Sequence, residues 1–159
     1  MRDLKRGREI ASRFDAILET LLETTAANRV TLRIDLPEHD FGVNVPAAEA
    51  RVPGVKSLMS ESSLDQRAAA TIEWLERERR ILVQSDVLSD GPRPPQALIE
   101  IYGTRAQMLG PLFDGAHLAG WISVHQSGRA REWRASDVEA LENALEAVRE
   151  VLGEPEDRG

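Results

Sequence analysis

RAQMLGPLF (105–113), DGAH (114–117) and LAGWISVHQ (118–126) follow one another, and after a polar loop with arginines at 129, 131 and 134 comes SDVEALENALEAVREVL (136–152). Asp114-Gly115 between two apolar-rich segments predicts a tight hairpin, because a primed turn needs residues that tolerate positive φ. In the second strand Ile122 and Val124 fall on one face and Trp121, Ser123 and His125 on the other, since strand side chains alternate. One face is greasy and the other mixed, as expected of a sheet with a core on one side and a polar-lined cavity on the other. Ser136 with Glu139 three residues on has the form of a capping box. Val138, Leu141, Leu145, Val148 and Leu152 then step by three and four into an apolar helical stripe, which Gly153 and Pro155 stop.

The rest of the chain reads outward from that run. Residues 3–26 predict a helix with Ile10, Phe14, Ile17 or Leu18, and Leu21 or Leu22 on its apolar face. RVTLRIDL (29–36) alternates cleanly, with Val30, Leu32 and Ile34 on one side, and predicts a strand ended by Pro37. Phe41–Val45 and Ala48–Val52 predict a looser strand interrupted by Pro46. Ser63 with Gln66 predicts a capped helix over Leu64–Arg80, with Ala68, Ile72 and Leu75 buried. Ile81–Val83 reads as a short edge strand, Ser89–Pro95 as a loop, and Gln96–Tyr102 as a short helix stopped by Gly103. Helices and strands are partly segregated and most strand pairs antiparallel, which predicts an α+β layered sandwich.

The chain has 159 residues and no cysteine, with 42% hydrophobic and 30% charged residues and a formal net charge of −7. Its length suits one domain, with a core over about residues 10–152 and a polar tail over 153–159. No apolar run approaches the ~18 residues that span a bilayer, and the charged start MRDLKRGREIASRFD does not read as a signal peptide. A cytoplasmic protein is expected. Without cysteine, disulfides, thiolate catalysis and thiol-ligated zinc are excluded. The negative charge argues against broad phosphate-backbone binding, so neither nucleic acid nor membrane is an expected partner. His39, His117 and His125 share no metal-ligand spacing, and no P-loop, Rossmann or nucleophile-elbow motif is present.

The order and spacing of these pieces resemble a GAF domain over residues ~10–152. The resemblance rests on Arg105–Phe113 with Pro111, the Gly115…Gly120 hairpin, Gly120-Trp121-Ile122-Ser123-Val124-His125, and Trp133…Asp137…Leu141. It implies a central antiparallel sheet, with the N- and C-terminal helices on one face and a ligand pocket covered by helices and loops on the other. It also implies dimerisation through the terminal helices, and Ser123 and His125 pointing into the pocket. The departures carry information too. Bilin-binding relatives have a similar strand with a histidine where His125 lies, but attach the chromophore through a cysteine. Cyclic-nucleotide-binding relatives carry an Asn-Lys-Phe-Asp-Glu constellation absent here, and the methionine sulfoxide reductase branch works through cysteines. No cofactor is therefore expected, and the non-covalent ligand is left unidentified.

Seven residues are candidates for the pocket. His125 can donate, accept or titrate near neutral pH, or is a hydrogen-bonded structural histidine. Trp121 would stack on a ligand or pack in the core, with Ser123 between them. Gln107 offers an amide, though whether its face is pocket or core is open. Tyr102 and Arg105 bracket the bend at Gly103, and Arg105 would clamp an anion with its planar fork, or is simply solvated. Trp74, off the main stripe of its helix, would roof the pocket or pack against the sheet. The leading expectation is a non-enzymatic sensory or regulatory module: a stand-alone homodimer that holds a small organic metabolite and signals to another protein by population shift. The alternatives are an enzyme using His125 as general base on a small anionic substrate, and a protein-interaction module with a vestigial pocket.

Overall fold

The computed structural model describes residues 4–153. Alternating segments pair into one antiparallel five-stranded sheet. Its strands are β1 (Arg29–Ile34), β2 (Ala48–Arg51), β3 (Leu82–Gln84), β4 (Thr104–Asp114) and β5 (His117–Ser127), in the spatial order β2-β1-β5-β4-β3. The hairpin β4–β5 closes through Gly115 and Ala116, with Asp114 opposite His117. Gly115 takes the positive φ (60°) that such a turn requires.

The helices are α1 (Leu4–Thr25), α2 (Ala70–Glu78), α3 (Gln96–Glu100) and α4 (Ala135–Gly153). Helices α1 and α4 pack together on one sheet face. Phe14, Leu18 and Leu21 from α1, and Leu141, Leu145 and Val148 from α4, bury against Val30, Leu32, Ile34, Met108, Ile122 and Val124. These strand residues are the apolar phase of the alternation, so this face holds the main core. The opposite phase faces α2, α3 and the loops between residues 52 and 103. A smaller core there joins Ile72, Leu75, Leu82, Leu109, Leu118 and Trp121.

Four local expectations are corrected. The helix expected over 64–80 begins only at Ala70, preceded by a 3-10 turn over Gln66–Ala68, and its N-cap is Ala69 with no side-chain cap. Ser63 bonds to Glu61 instead of capping, and the Gln66 backbone N–H is taken by Asn44 Oδ1 at 3.0 Å. Ala68 is exposed, so the buried face of that segment is Gln66, Thr71, Ile72 and Leu75. The segment 41–45 forms only an isolated bridge, Leu36 to Phe41, and no strand. Ser136 lies inside α4, and the capping carboxylate is Asp137, which accepts the Arg134 backbone N–H at 2.9 Å. Leu152 is among the exposed hydrophobics, and Val151 takes the last buried position of the stripe. Pro155 and the rest of the expected tail beyond Gly153 lie outside the described residues.

Candidate ligand-binding site

The sheet face turned away from α1 and α4 is unusually polar. Strand β1 places Arg29, Thr31 and Arg33 on it, opposite His125, Ser123 and Trp121 of β5, and β4 adds Gln107 and Leu109 on the far side of β5. These residues other than Arg29 line a cavity whose remaining walls are Gln66, Thr71 and Ile72 from the 3-10 turn and α2, Leu58, and Pro94, Pro95 and Leu98 from the segment leading into α3. Its free interior is small, about 20 Å³ for the centre of a water-sized sphere. That is little more than the roughly 10–15 Å³ one ordered water needs.

Two arginines are buried here, Arg29 with none of its surface exposed and Arg33 with 3%. Removing an ion from water costs several kcal/mol unless partners compensate. Arg29 is compensated by dipoles. Its Nε and Nη2 donate to the Lys56 carbonyl at 3.1 and 2.8 Å, and its guanidinium lies 5.5 Å from the Tyr102 ring centre. Its Nη1 lies 3.1 Å from His125 Nδ1. A guanidinium can only donate, so Nδ1 accepts and the imidazole proton sits on Nε2. Arg33 is less well provided for. Its one hydrogen bond among the described residues runs from Nη1 to the Val43 carbonyl, at 3.0 Å. No carboxylate oxygen of the described residues comes within ion-pair distance of it, and Glu61 and Glu49 act on it only from farther away. Burial pushes its pKa down to about 10, which still leaves the group charged at neutral pH.

Gln66 is the other incompletely bonded wall residue. It is 4% exposed, and its Nε2 is buried without a hydrogen-bond partner. Its position is set from outside the cavity by the Asn44 bond and by the ion pair of neighbouring Arg67 with Asp35. The roof is tied down similarly. Glu49 accepts from the Ser57 hydroxyl at 2.6 Å and the Leu58 N–H at 2.7 Å. Gln107 donates to Gln84 Oε1 at 2.7 Å, and Gln84 donates to the Asp90 carbonyl at 3.1 Å. Each roof loop is thus held by buried side chains that are also part of the sheet face, Arg29 and Glu49 for residues 56–58 and Gln84 for residues 90–92.

Of the seven sequence candidates, Gln107, Trp121, Ser123 and His125 line the cavity. The other three do not, and these placements are corrections. Arg105 sits at a register shift between Thr104 and Ala106. That bulge breaks the alternation which would have aligned it with Gln107. Its fork binds Asp86 instead, at 3.3 and 3.0 Å. Tyr102 is buried beside Leu58 and Leu98, and its hydroxyl donates to Glu61 at 3.0 Å. Trp74 packs at the margin of the smaller core, with the Arg80 guanidinium 4.9 Å from its ring centre. Sequence reading missed Arg29, Thr31, Arg33 and Gln66. The polar phase of RVTLRI is as regular as its apolar phase, but only the pairing of β1 with β5 shows that the first three share a face with His125, Ser123 and Trp121.

Two expected results follow. The Arg105–Asp86 pair is half-exposed and largely screened, so Arg105→Ala should leave the denaturation midpoint nearly unchanged, and a large drop would contradict this placement. His125 is fully buried beside Arg29 and Arg33, so desolvation first, and then those two charges, hold its pKa well below the usual histidine value. Below about pH 6.5 the unfolded chain therefore binds a proton that the native state refuses, and stability falls with falling pH, by up to about 1.4 kcal/mol per pH unit. Urea denaturation from pH 7.5 to 5.5 should show this slope in the wild type and a flatter one in His125→Asn. The same environment makes His125 a weak base, which counts against it as a general base.

Comparison with known proteins agrees with this architecture. The GAF domain family matches residues 9–151, and no curated protein matches in sequence. Among solved structures, the blue-light absorbing form of the Thermosynechococcus elongatus PixJ GAF domain superposes with a TM-score of 0.75 at 18% identity, covering 94% of this chain and 88% of that one. JSC1_58120g3 with bound biliverdin IXa gives 0.69 at 16%, covering 93% of both chains. The phycocyanobilin-bound GAF domain of a cyanobacterial phytochrome gives 0.63 at 17%, covering 93% and 92%. Likeness at these identities is a likeness of fold. The bilin-bound neighbours nevertheless overturn the expectation of no cofactor, because a missing cysteine excludes only a thioether link and not a bilin. With its antiparallel sheet, paired terminal helices and opposed polar cavity, and with a family match across 9–151, the chain belongs to the GAF domain family.

Proposed function

We propose that this GAF domain is a sensory or regulatory module that holds a small organic molecule in the cavity between its sheet and the loops 52–103. The observation that carries the reading is the small, partly enclosed cavity, with a buried arginine lacking a carboxylate partner and a buried amide N–H₂ lacking an acceptor on its walls. Polar groups are rarely left so in a purely structural core. A ligand that bonds to the roof as well as the floor would favour the closed arrangement of residues 85–103, and a partner protein would read that change.

A linear tetrapyrrole, as in the biliverdin- and phycocyanobilin-bound neighbours, does not fit the cavity in this conformation, which has room for about one water. To admit one, the roof would have to swing away, and the attachment would be non-covalent. The homodimer belongs to the same proposal. A shallow, largely apolar groove runs between α1 and α4, lined by Ile17, Leu21, Ala140, Ala144 and Ala147, and a second copy would cover it.

Native mass spectrometry of the purified protein tests both parts. A bound small molecule, lost on acid denaturation, and a dimer mass are the expected results. Adding the recovered ligand, or biliverdin in a parallel arm, should slow hydrogen exchange across residues 85–103 if the roof closes over it. A ligand-free protein whose exchange no added compound alters would refute the sensor reading.

A further inference from the structure

We propose that Arg33 and Gln66, which line the same cavity, bind the carboxylate of a small aliphatic monoacid, with His125 Nε2–H as a further donor on the cavity wall. This assignment rests on reading the cavity as a ligand site, and adds the chemical class of the ligand.

Three observations converge on it. First, Arg33 carries a full charge in a nearly solvent-free position, yet one peptide carbonyl is its only hydrogen-bonding partner among the described residues. Arg29, three-sided by carbonyls and an imidazole, shows how this fold satisfies a buried guanidinium that has no ligand to bind. Arg33 lacks that treatment and lines the cavity, whereas Arg29 does not. Second, the Gln66 amide N–H₂ is buried, lines the same cavity and has no acceptor. Third, the bond from Arg29 leaves the His125 imidazole as a donor rather than an acceptor at its remaining nitrogen. Guanidinium, amide N–H₂ and imidazole N–H are all donors. No carboxylate side chain lines the cavity to compete with a bound anion.

Donor geometry narrows the class. A planar guanidinium edge matches the two coplanar oxygens of a carboxylate, and a cavity with room for about one water must open less for a two-carbon acid than for a bulkier phosphate ester. Leu109, Trp121, Ile72 and Leu98 supply the apolar walls that a short alkyl chain would touch. To admit the acid, the proline-bearing roof at Pro94 and Pro95 would lift, and farther for a longer chain.

The test is an NMR titration of the full chain with sodium acetate and sodium pyruvate at constant ionic strength, with acetamide and sodium chloride as controls. In the wild type, acetate or pyruvate should shift the resonances of Ser123, His125 and Gln107, and acetamide should not. Arg33→Met should weaken the apparent affinity at least tenfold while folding as stably as the wild type or more so, because a similar-sized apolar residue removes an unpaired buried charge. Gln66→Leu, a second variant that leaves the guanidinium in place, should weaken it several-fold. Acetamide binding as tightly as acetate, or Arg33→Met binding acetate unchanged, overturns the carboxylate assignment and leaves the cavity a ligand site for a neutral molecule. Carboxylates that leave the cavity resonances unmoved, while native mass spectrometry finds another class of molecule bound, also overturn it. If no probe moves those resonances and the isolated protein is ligand-free, the ligand-site reading falls with it.

Discussion

Trp121→Ala should destabilise the protein by about 3–5 kcal/mol, the range for deleting a fully buried large aromatic side chain, and lower the melting temperature by roughly 6–20 °C for a chain of this size. Trp121 is 1% exposed. Its ring belongs to the smaller core with Val43, Ile72, Leu75, Leu109 and Leu118, and it also walls the polar cavity. Truncation therefore does two things at once. It removes the largest apolar surface on that sheet face, and it joins the space left behind to an existing cavity that the surrounding backbone cannot collapse. Differential scanning calorimetry of the wild type and the variant measures the loss, and a cost under 1 kcal/mol would mean that the indole is not packed as described. The variant should also gain a property. Indole matches in shape the ring that was removed and would restore its contacts with Ile72, Leu109 and Leu118, so millimolar indole should raise the melting point of Trp121→Ala and leave the wild type unmoved.

Much of this architecture is legible in the chain because the sheet is built from strands with opposite faces in opposite solvents. The apolar phases of RVTLRI and GWISVH name the core side, and the 3.6-residue stripes of the terminal helices name what covers it. The polar phases carry the site, and there the reading was uneven. Trp121, Ser123 and His125 stand out because their strand contains few other polar residues. Arg29, Thr31 and Arg33 become visible only once β1 is known to lie beside β5, since the pairing Arg29–His125 joins residues 96 apart in sequence. No local pattern encodes that.

The misreadings share one cause, a local signal overruled by a distant partner. Ser63 and Gln66 have the spacing of a capping box, but Glu61 takes Ser63 and Asn44 takes the Gln66 N–H, so the helix starts later and Gln66 is freed to face the cavity. Arg105 has the right period to share a face with Gln107. The bulge at Thr104/Ala106 and the carboxylate of Asp86, 19 residues back, turn it outward. Asp86 reads in sequence as one more loop carboxylate, with nothing to mark it as the partner of an arginine on another strand.

Gly120→Ala should be more damaging than its single added methyl suggests, costing about 3 kcal/mol or more, at or beyond the upper end of the usual overpacking range. A Cβ built on Gly120 would lie 2.2 Å from the Arg33 carbonyl oxygen and 2.8 Å from Ile34 Cα. Both are backbone atoms of the paired strand, so no rotamer change relieves the contact. By contrast, the three atoms nearest a Cβ on Gly110 all belong to the side chain of Leu145, which has other rotamers to adopt. For alanine to fit at 120, β1 must move away from β5 at the pair Ile34–Gly120, next to Arg33–Trp121. The damage should therefore appear in function as well as stability. Beyond a melting point lowered by at least roughly 6 °C, whatever fraction stays folded should bind carboxylates poorly, because Arg33 is carried off its register with Trp121. Urea denaturation of Gly120→Ala beside Gly115→Asn provides the contrast. Asparagine tolerates the positive φ of the turn at 115, where nothing lies within 4 Å of an added Cβ, so that variant should stay within about 1 kcal/mol of wild type. If the two glycine variants lose similar stability, the close approach of β1 to β5 is not what holds position 120 to glycine.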